Sequence, residues 1–273
     1  MGSRRMVLLD YDGTLLRKGS LDQLALRELE RLGDAGVVRV LATGRSPFSL
    51  LRSLRGIPLP VDYLILSTGV GIVSAEGWRT VRSLSLGRRR LDQALSLMRE
   101  LDLDFSVHHP FPENHRFAYS RSRSRRAEDL NRRLELYRGF HSELREGERL
   151  PKASQVVAIS VGGSELPLFQ RVRQRLQPGL AVVRTTSPLD GRSLWLELMP
   201  AGAGKGRASA WLAEMVGVPA NGCLALGNDY NDEDMLDWAG RGVIMEDAPQ
   251  GLLSRFESVS SPGLALEDWC RTW

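Results

Sequence analysis

Apolar residues along this chain gather in short runs, each closed by a polar or glycine-bearing stretch. Residues 6–9 read as a buried strand. The run stops at Asp10, a second carboxylate follows at Asp12, and Gly13 lets the chain turn sharply. Leu21, Leu24, Ala25, Leu29 and Leu32 recur at helical spacing, with Ser20 as the predicted N-cap and Gly33 and Gly36 at the end. A strand is predicted over 37–42, closing in Thr43-Gly44-Arg45. Pro47 suits the first turn of a helix carrying Phe48, Leu50, Leu51 and Leu54. A third strand over 61–66 closes in Ser67-Thr68-Gly69. This βαβαβ order predicts an α/β fold with a parallel sheet and right-handed crossovers. Its polar strand ends would line one edge.

From about residue 81 the texture changes. Leu91, Leu95, Met98 and Leu101 predict an amphipathic helix. Strands are predicted over 105–109 and 116–119, joined by a Pro-rich turn, then a charged helix over 127–145, a strand over 155–161 and a helix over 165–176. Two more strands, over 181–185 and 193–199, flank a Pro188-Leu189-Asp190-Gly191 turn. This block, 81–199, reads as an α+β unit inserted into a first domain made of 1–80 and 200–273. The α/β texture returns with a helix after Gly204-Lys205-Gly206 carrying Ala208, Trp211, Leu212 and Met215. A strand over 223–226 ends in an acidic cluster at 228–234, and a helix with Met235, Leu236 and Trp238 follows. A last strand lies over 242–245. The tail packs Leu252, Leu253, Phe256, Leu264, Leu266 and Trp269.

Composition narrows the class. A hydrophobic share of 42% and a charged share of 26% describe a globular chain, and no run approaches the ~20 apolar residues of a membrane span. Arg4 and Arg5 precede no long apolar segment, so no signal peptide is expected. Cys223 and Cys270 make no disulfide framework, and the expected compartment is the reducing cytoplasm. The net charge is +4, and the only lysines are Lys18, Lys152 and Lys205. That arginine bias fits phosphate recognition, and it fits the codon bias of a GC-rich genome. The Arg-rich run over 116–133 is read as a solvated helix face, with a nucleic-acid patch as the secondary reading.

Four features then fall at ends of predicted strands or helices of one sheet: Asp10 with Asp12, Thr43, Lys205, and the cluster at 228–234. So many acids at one edge repel one another unless a divalent cation bridges them. Oxygen ligands suit Mg²⁺, and no Cys/His spacing suggests zinc. A Lys and a Thr beside such a site make a phosphate cradle, to which the helix after Thr43-Gly44-Arg45 could add backbone donors.

The ordered set Leu9-Asp10-Tyr11-Asp12-Gly13-Thr14-Leu15, Ala42-Thr43-Gly44-Arg45, Lys205 and Gly227-Asn228-Asp229-Tyr230-Asn231-Asp232 resembles the haloacid dehalogenase (HAD) superfamily. The long insert after the second motif is similar to that of the sugar-phosphatase-like, Cof-type branch (subfamily IIB), with its C2B cap. The resemblance implies a Rossmann-like core with an inserted α+β cap, and a phosphatase acting on a small phosphorylated metabolite, a sugar or sugar-acid phosphate. It implies Asp10 as the nucleophile forming an aspartyl-phosphate, and Asp12 as general acid and then base. Thr43 would bond a phosphoryl oxygen, and Lys205 would neutralise phosphoryl charge. Gly44, Arg45 and Thr68 would lie against the substrate. Mg²⁺ would be held by the Asp10 side chain, the Asp12 carbonyl and the last motif, through Asn228, Asp229 or Asp232. Relatives usually carry Asp where this chain has Asn228, and often Asn-Gly where it has Thr68-Gly69. The departure at 228 implies a weaker metal site.

In the cap block, three of the chain's four histidines fall within 108–116. His109, His115 and Arg116 are the candidate substrate contacts there, with the turn Asp190-Gly191-Arg192 as a further one. The competing readings are a phosphomutase or phosphotransferase using the same aspartyl-phosphate, and a non-catalytic nucleic-acid-binding protein on this fold. The sequence sets no oligomeric state.

Overall fold

The computed structural model describes residues 4–124, 128–145, 147–148, 150–160, 165–187 and 193–271. The chain falls into two compact units. The first comprises Met1–Arg45, Leu50–Arg82 and Gly204–Trp273, and the second Ser46–Ser49 with Ser83–Ala203. No helix among the described residues is long and apolar enough to cross a membrane.

The first unit is built on one sheet in the strand order Glu257–Val259, Arg241–Met245, Cys223–Gly227, Met6–Asp10, Val38–Ala42, Tyr63–Leu66, Gly71–Ser74, Thr80–Ser83. The first six run parallel. The central strand is buried over its whole length, because helices cover both faces of a parallel sheet. The parallel expectation needs one correction: Gly71–Ser74 runs antiparallel to Tyr63–Leu66. The reversal is made by Ser67, Thr68 and Gly69, all at positive φ (51°, 53° and 86°).

Local chemistry also moves a helix start. Ser20 is not the cap. It pairs with Arg17 in a hairpin of Leu16–Arg17 with Ser20–Leu21, and Leu21 lies in that hairpin too. Asp22 caps the helix Gln23–Asp34 by accepting the Ala25 N–H at 2.8 Å. Its other oxygen accepts from Ser261 Oγ at 2.8 Å, and Ser261 itself caps Pro262–Cys270. One carboxylate thus ties two helix starts together. In Pro47–Leu54, Leu50 and Leu54 are buried while Leu51 faces water.

The second unit carries a sheet in the order His141–Glu143, Phe117–Ser120, Asp104–His108, Val156–Ser160, Leu194–Pro200, Leu180–Thr186. Helices Arg88–Glu100 and Glu165–Leu176 bury Leu91, Leu95, Met98 and Val172 against Phe105, Val107, Val156, Ala158, Leu196 and Leu198. The alternate residues Val157, Ile159 and Trp195 point to the opposite face, where Leu130 covers them. The charged helix expected over 127–145 is shorter, Glu128–Leu136. After Gly139, at φ 85°, the chain returns as the edge strand His141–Glu143. Ala127, Val161 and the turn with Asp190, Gly191 and Arg192 lie outside the described residues.

On this face His108 is buried beside Ser106. Its Nδ1 lies 2.7 Å from the Asn114 carbonyl oxygen, which can only accept, so Nδ1 carries the proton. Nε2 then accepts from Ser106 Oγ at 3.1 Å and from Arg133 Nη2 at 3.4 Å. Burial, with the Arg133 guanidinium adding to it, pushes the imidazole down to about 3. The unfolded chain therefore binds this proton first as pH falls, and stability is lost across the window from about 6.5 down to about 3. We expect His108 to cost the fold about 2 kcal/mol between pH 7 and pH 5. His108→Asn keeps the donor to Asn114 and cannot be protonated in that range. Unfolding free energies from urea titrations at the two pH values should differ by that much less in the variant, and an equal difference would refute the assignment.

Candidate active site

Four strand ends of the first unit carry the chemistry. Asp10 closes Met6–Asp10, Thr43 follows Val38–Ala42, Ser67 and Thr68 follow Tyr63–Leu66, and Asn228 follows Cys223–Gly227. Their neighbours in the sheet bring them to one edge, where α/β sheets bind ligands.

Lys205 begins the helix Lys205–Val216 and is completely buried. Its ammonium donates to Asp10 Oδ1 at 2.6 Å and to Asp232 Oδ1 at 2.5 Å. Two close backbone approaches make this placement possible. A Cβ on Gly69 would lie 2.3 Å from the Gly204 carbonyl oxygen, and the Gly204 N–H donates to the Thr68 carbonyl at 3.0 Å. A Cβ on Gly206 would lie 2.3 Å from the Asp234 carbonyl oxygen. Asp234 also accepts the Gly206 N–H, which anchors the helix start that presents the lysine. Burial alone would lower the Lys205 ammonium, but Asp10 and Asp232 outweigh it and the net shift is upward. The Asp10 carboxyl is pushed up to about 8, first by burial and then by Asp232, with Lys205 pulling against both. One buried cation serves two buried carboxylates, and the site is one positive charge short.

Asp232 has both oxygens engaged. Oδ1 meets Lys205, and Oδ2 accepts the N–H groups of Asn228 at 2.9 Å and Asp229 at 3.1 Å. It therefore shapes the loop and orients the lysine, whereas the sequence suggested a metal ligand. Asp229 is half-buried in the same loop. The carboxamide oxygen of Asn228 faces two other acceptors, Asp10 Oδ2 and the Asp12 carbonyl oxygen; with the amide turned over, its nitrogen would donate to them at 3.0 and 2.9 Å. As it stands, the amide places a third oxygen beside those two. Asp10 Oδ2, the Asp12 carbonyl and the Asn228 amide thus make an all-oxygen set of the kind Mg²⁺ takes. Among the described residues no three His, Cys, Asp or Glu side chains gather as a metal cluster. The set rests instead on a main-chain carbonyl and an amide.

The Asp12 side chain turns elsewhere. Arg45 grips it bidentately, Nε to Oδ2 and Nη2 to Oδ1, both at 2.7 Å, and the guanidinium lies 5.2 Å from the Tyr11 ring centroid. Arg45 was expected against the substrate; in this structure it holds the candidate acid. Thr43 is buried, and its Oγ1 accepts the Arg45 N–H at 3.1 Å, which leaves the hydroxyl proton available to a ligand. Thr68 is fully buried, and its Oγ1 has no hydrogen-bond partner among the described residues. A β-branched residue held at φ 53° is strained. Gly44 lies beside it: a Cβ there would sit 3.5 Å from that oxygen.

Sequence reasoning missed the Asp12–Arg45 pair and the Asp234–Gly206 bond. Asp234 stood in the acidic cluster, but only the fold brings it to the lysine helix. In the second unit His109 and Arg116 are exposed, and His115 is buried at the edge of Phe140, ring centroids 5.0 Å apart. Arg116 lies 3.6 Å from Glu113.

Residues 7–261 match the family model of the haloacid dehalogenase-like hydrolases. The chain belongs to that family. It is 31% identical over 263 residues to an HMP-PP phosphatase of Citrobacter koseri, covering 95% of this chain and 90% of that one. It is 25% identical over 261 residues to the 5-amino-6-(5-phospho-D-ribitylamino)uracil phosphatase of Bacillus subtilis, covering 89% and 88%. The fold is shared with a solved HAD subclass IIB sugar phosphatase at a TM-score of 0.72 and 15% identity, over 97% of this chain and 98% of that one.

Proposed function

We propose that this chain, a phosphatase of the haloacid dehalogenase-like hydrolase family, hydrolyses a small phosphorylated metabolite, a sugar or sugar-acid phosphate, through an aspartyl-phosphate on Asp10 with Mg²⁺. The observation that carries this reading is the buried Lys205 ammonium between Asp10 and Asp232 at 2.6 and 2.5 Å, beside a set of three potential oxygen ligands. Held by that set, Mg²⁺ would neutralise phosphoryl charge and favour the ionised form of Asp10.

The residues divide the work. The Asp10 carboxylate forms a bond to phosphorus as the ester P–O bond breaks. Asp12 gives its proton to the leaving oxygen, then takes one from the water that attacks phosphorus and returns Asp10. Lys205 and the Thr43 and Thr68 hydroxyls supply positive charge and donors to the phosphoryl oxygens, where phosphoryl transfer needs them most. Arg45 keeps Asp12 aimed. The relatives are named for HMP-PP and for 5-amino-6-(5-phospho-D-ribitylamino)uracil. Both names support a small leaving group.

The arginine run gives little support to nucleic-acid binding. Arg133 lies 4.6 Å from the Trp195 ring centroid, Arg121 lies 5.6 Å from that of Tyr119, and Arg132 pairs with Glu128 at 3.2 Å. These side chains are used within their own unit.

The test is phosphate release from a panel of phosphorylated sugars, sugar acids, nucleotides and an aryl phosphate, with Mg²⁺ and with chelator. We expect release that requires Mg²⁺ and concentrates on one or two sugar or sugar-acid phosphates. Release unchanged by chelator would overturn the metal, and release confined to nucleotides would overturn the substrate class.

A further inference from the structure

The position that departs from the family pattern is also one whose amide, turned over, would complete the strand-end hydrogen bonding. Asp10 Oδ1 is taken by Lys205. Its other oxygen and the Asp12 carbonyl both face the Asn228 carboxamide oxygen, and turning that amide over brings its NH₂ to 3.0 and 2.9 Å from them. One amide group therefore gathers the same two oxygens that a cation would gather. A carboxylate at 228 could not do this, because it has no proton to offer and would set like charges about 3 Å apart.

The neighbourhood is shaped around this side chain. Gly13 sits at φ 85°, and a Cβ there would lie 2.8 Å from Asn228 Cγ. The glycine is thus needed for the amide as well as for the turn. The Asn228 backbone is fixed by its N–H bond to Asp232 at 2.9 Å. Thr14 Oγ1 lies 3.5 Å from the amide. With the backbone fixed, rotation of the terminal amide is the motion left to the group, and it exchanges NH₂ for oxygen at one place.

We propose that Asn228 is a two-position latch for the cation site. Its NH₂ bridges Asp10 and the Asp12 carbonyl when no cation is bound, and its oxygen replaces the NH₂ when Mg²⁺ enters. The inference rests on the Mg²⁺ reading given above. It goes further in assigning the asparagine a role of its own, that of keeping the nucleophile and the 227–232 loop in place without metal. The consequence is a site that binds its cation less tightly than a carboxylate would, and that collapses less when the cation leaves.

The test compares wild type with Asn228→Asp and Asn228→Ala by calorimetric melting in chelator and in saturating Mg²⁺, and by titration calorimetry with Mg²⁺ alone. We expect both variants to melt several degrees below wild type in chelator. In Mg²⁺ the Asp variant should equal or exceed wild type and bind the ion about tenfold more tightly or better, since ligand charge sets affinity. The Ala variant should bind Mg²⁺ less tightly than wild type. In ¹⁵N-labelled wild type, one side-chain amide pair that is missing from the Asp variant should shift on adding Mg²⁺. Coincident melting of all three proteins in chelator, with Mg²⁺ still stabilising each, would overturn the latch alone. Absence of any Mg²⁺ effect on melting or heat would overturn the Mg²⁺ reading and the latch with it.

Discussion

Asp10→Asn should yield a folded protein that releases no measurable phosphate, a fall in kcat on the order of 10⁴-fold or more. The amide has nearly the shape of the carboxylate, so it fits the same buried strand end, but it cannot form the bond to phosphorus. Folding should not suffer. Burial first and Asp232 second push the Asp10 carboxyl up to about 8, so near neutral pH the fold holds this carboxyl at a cost, whether ionised against burial or protonated. Asn removes that cost, and Lys205 keeps its ion pair with Asp232 at 2.5 Å. We therefore expect a melting temperature in chelator equal to or above that of wild type. The measurement is phosphate release under saturating substrate, beside calorimetry on the same preparation. Turnover within tenfold of wild type would remove Asp10 from the nucleophile's place, whatever the melting temperature did.

The sheet was legible in the sequence for a simple reason. Runs such as 6–9 and 223–226 are apolar without alternation, and only a strand covered on both faces tolerates that. The helix Glu165–Leu176 was legible from its spacing. The short pieces were not. The hairpin at Leu16–Arg17 and Ser20–Leu21 has two residues per strand, too few for a period to register. The strands Gly71–Ser74 and Thr80–Ser83 depend on Ser67 and Thr68 adopting positive φ, which neither residue type advertises. Ser20 looked like a cap because it is a good one in isolation, but Asp22 stands two residues nearer the helix and wins.

The site divides along the same line. Asp10 and Lys205 could be placed in one site on paper, because each stands at the end or start of an element at one sheet edge and the resemblance gave each a role. Partners set by loop geometry could not. Asp232 and Asp229 look alike in the sequence, yet only Asp232 turns back under the loop to meet Lys205 and two backbone N–H groups. Arg45 looked like an anion contact because arginine usually is one, and its fork instead matches the carboxylate of Asp12.

Lys205→Met gives the largest expected loss of stability. The methionine nearly matches the lysine in length, so packing changes little while the charge is lost. The buried carboxylates of Asp10 and Asp232 are then left without their common cation. Breaking a buried ion pair in this way costs about 3–5 kcal/mol. The loss has a signed pH dependence. Without the ammonium, the Asp10 carboxyl loses the group that pulls against its burial, so stability returns as pH falls and a proton neutralises it. A urea midpoint that is far below wild type at pH 7.5 and recovers toward it at pH 5 is the expected result. An unchanged midpoint at pH 7.5 would mean that the pairs add nothing net to the fold. Lys205→Arg should not rescue, because the guanidinium is too wide for a side chain with no exposed surface. Rescue should come from the other side of the pair. Adding Asp232→Asn to Lys205→Met removes one of the two stranded charges, while the amide oxygen can still accept the N–H groups of Asn228 and Asp229. That double variant should regain a large part of the lost stability at pH 7.5 and none of the activity. The contrast separates the lysine's role in holding the fold from its role in holding phosphoryl charge.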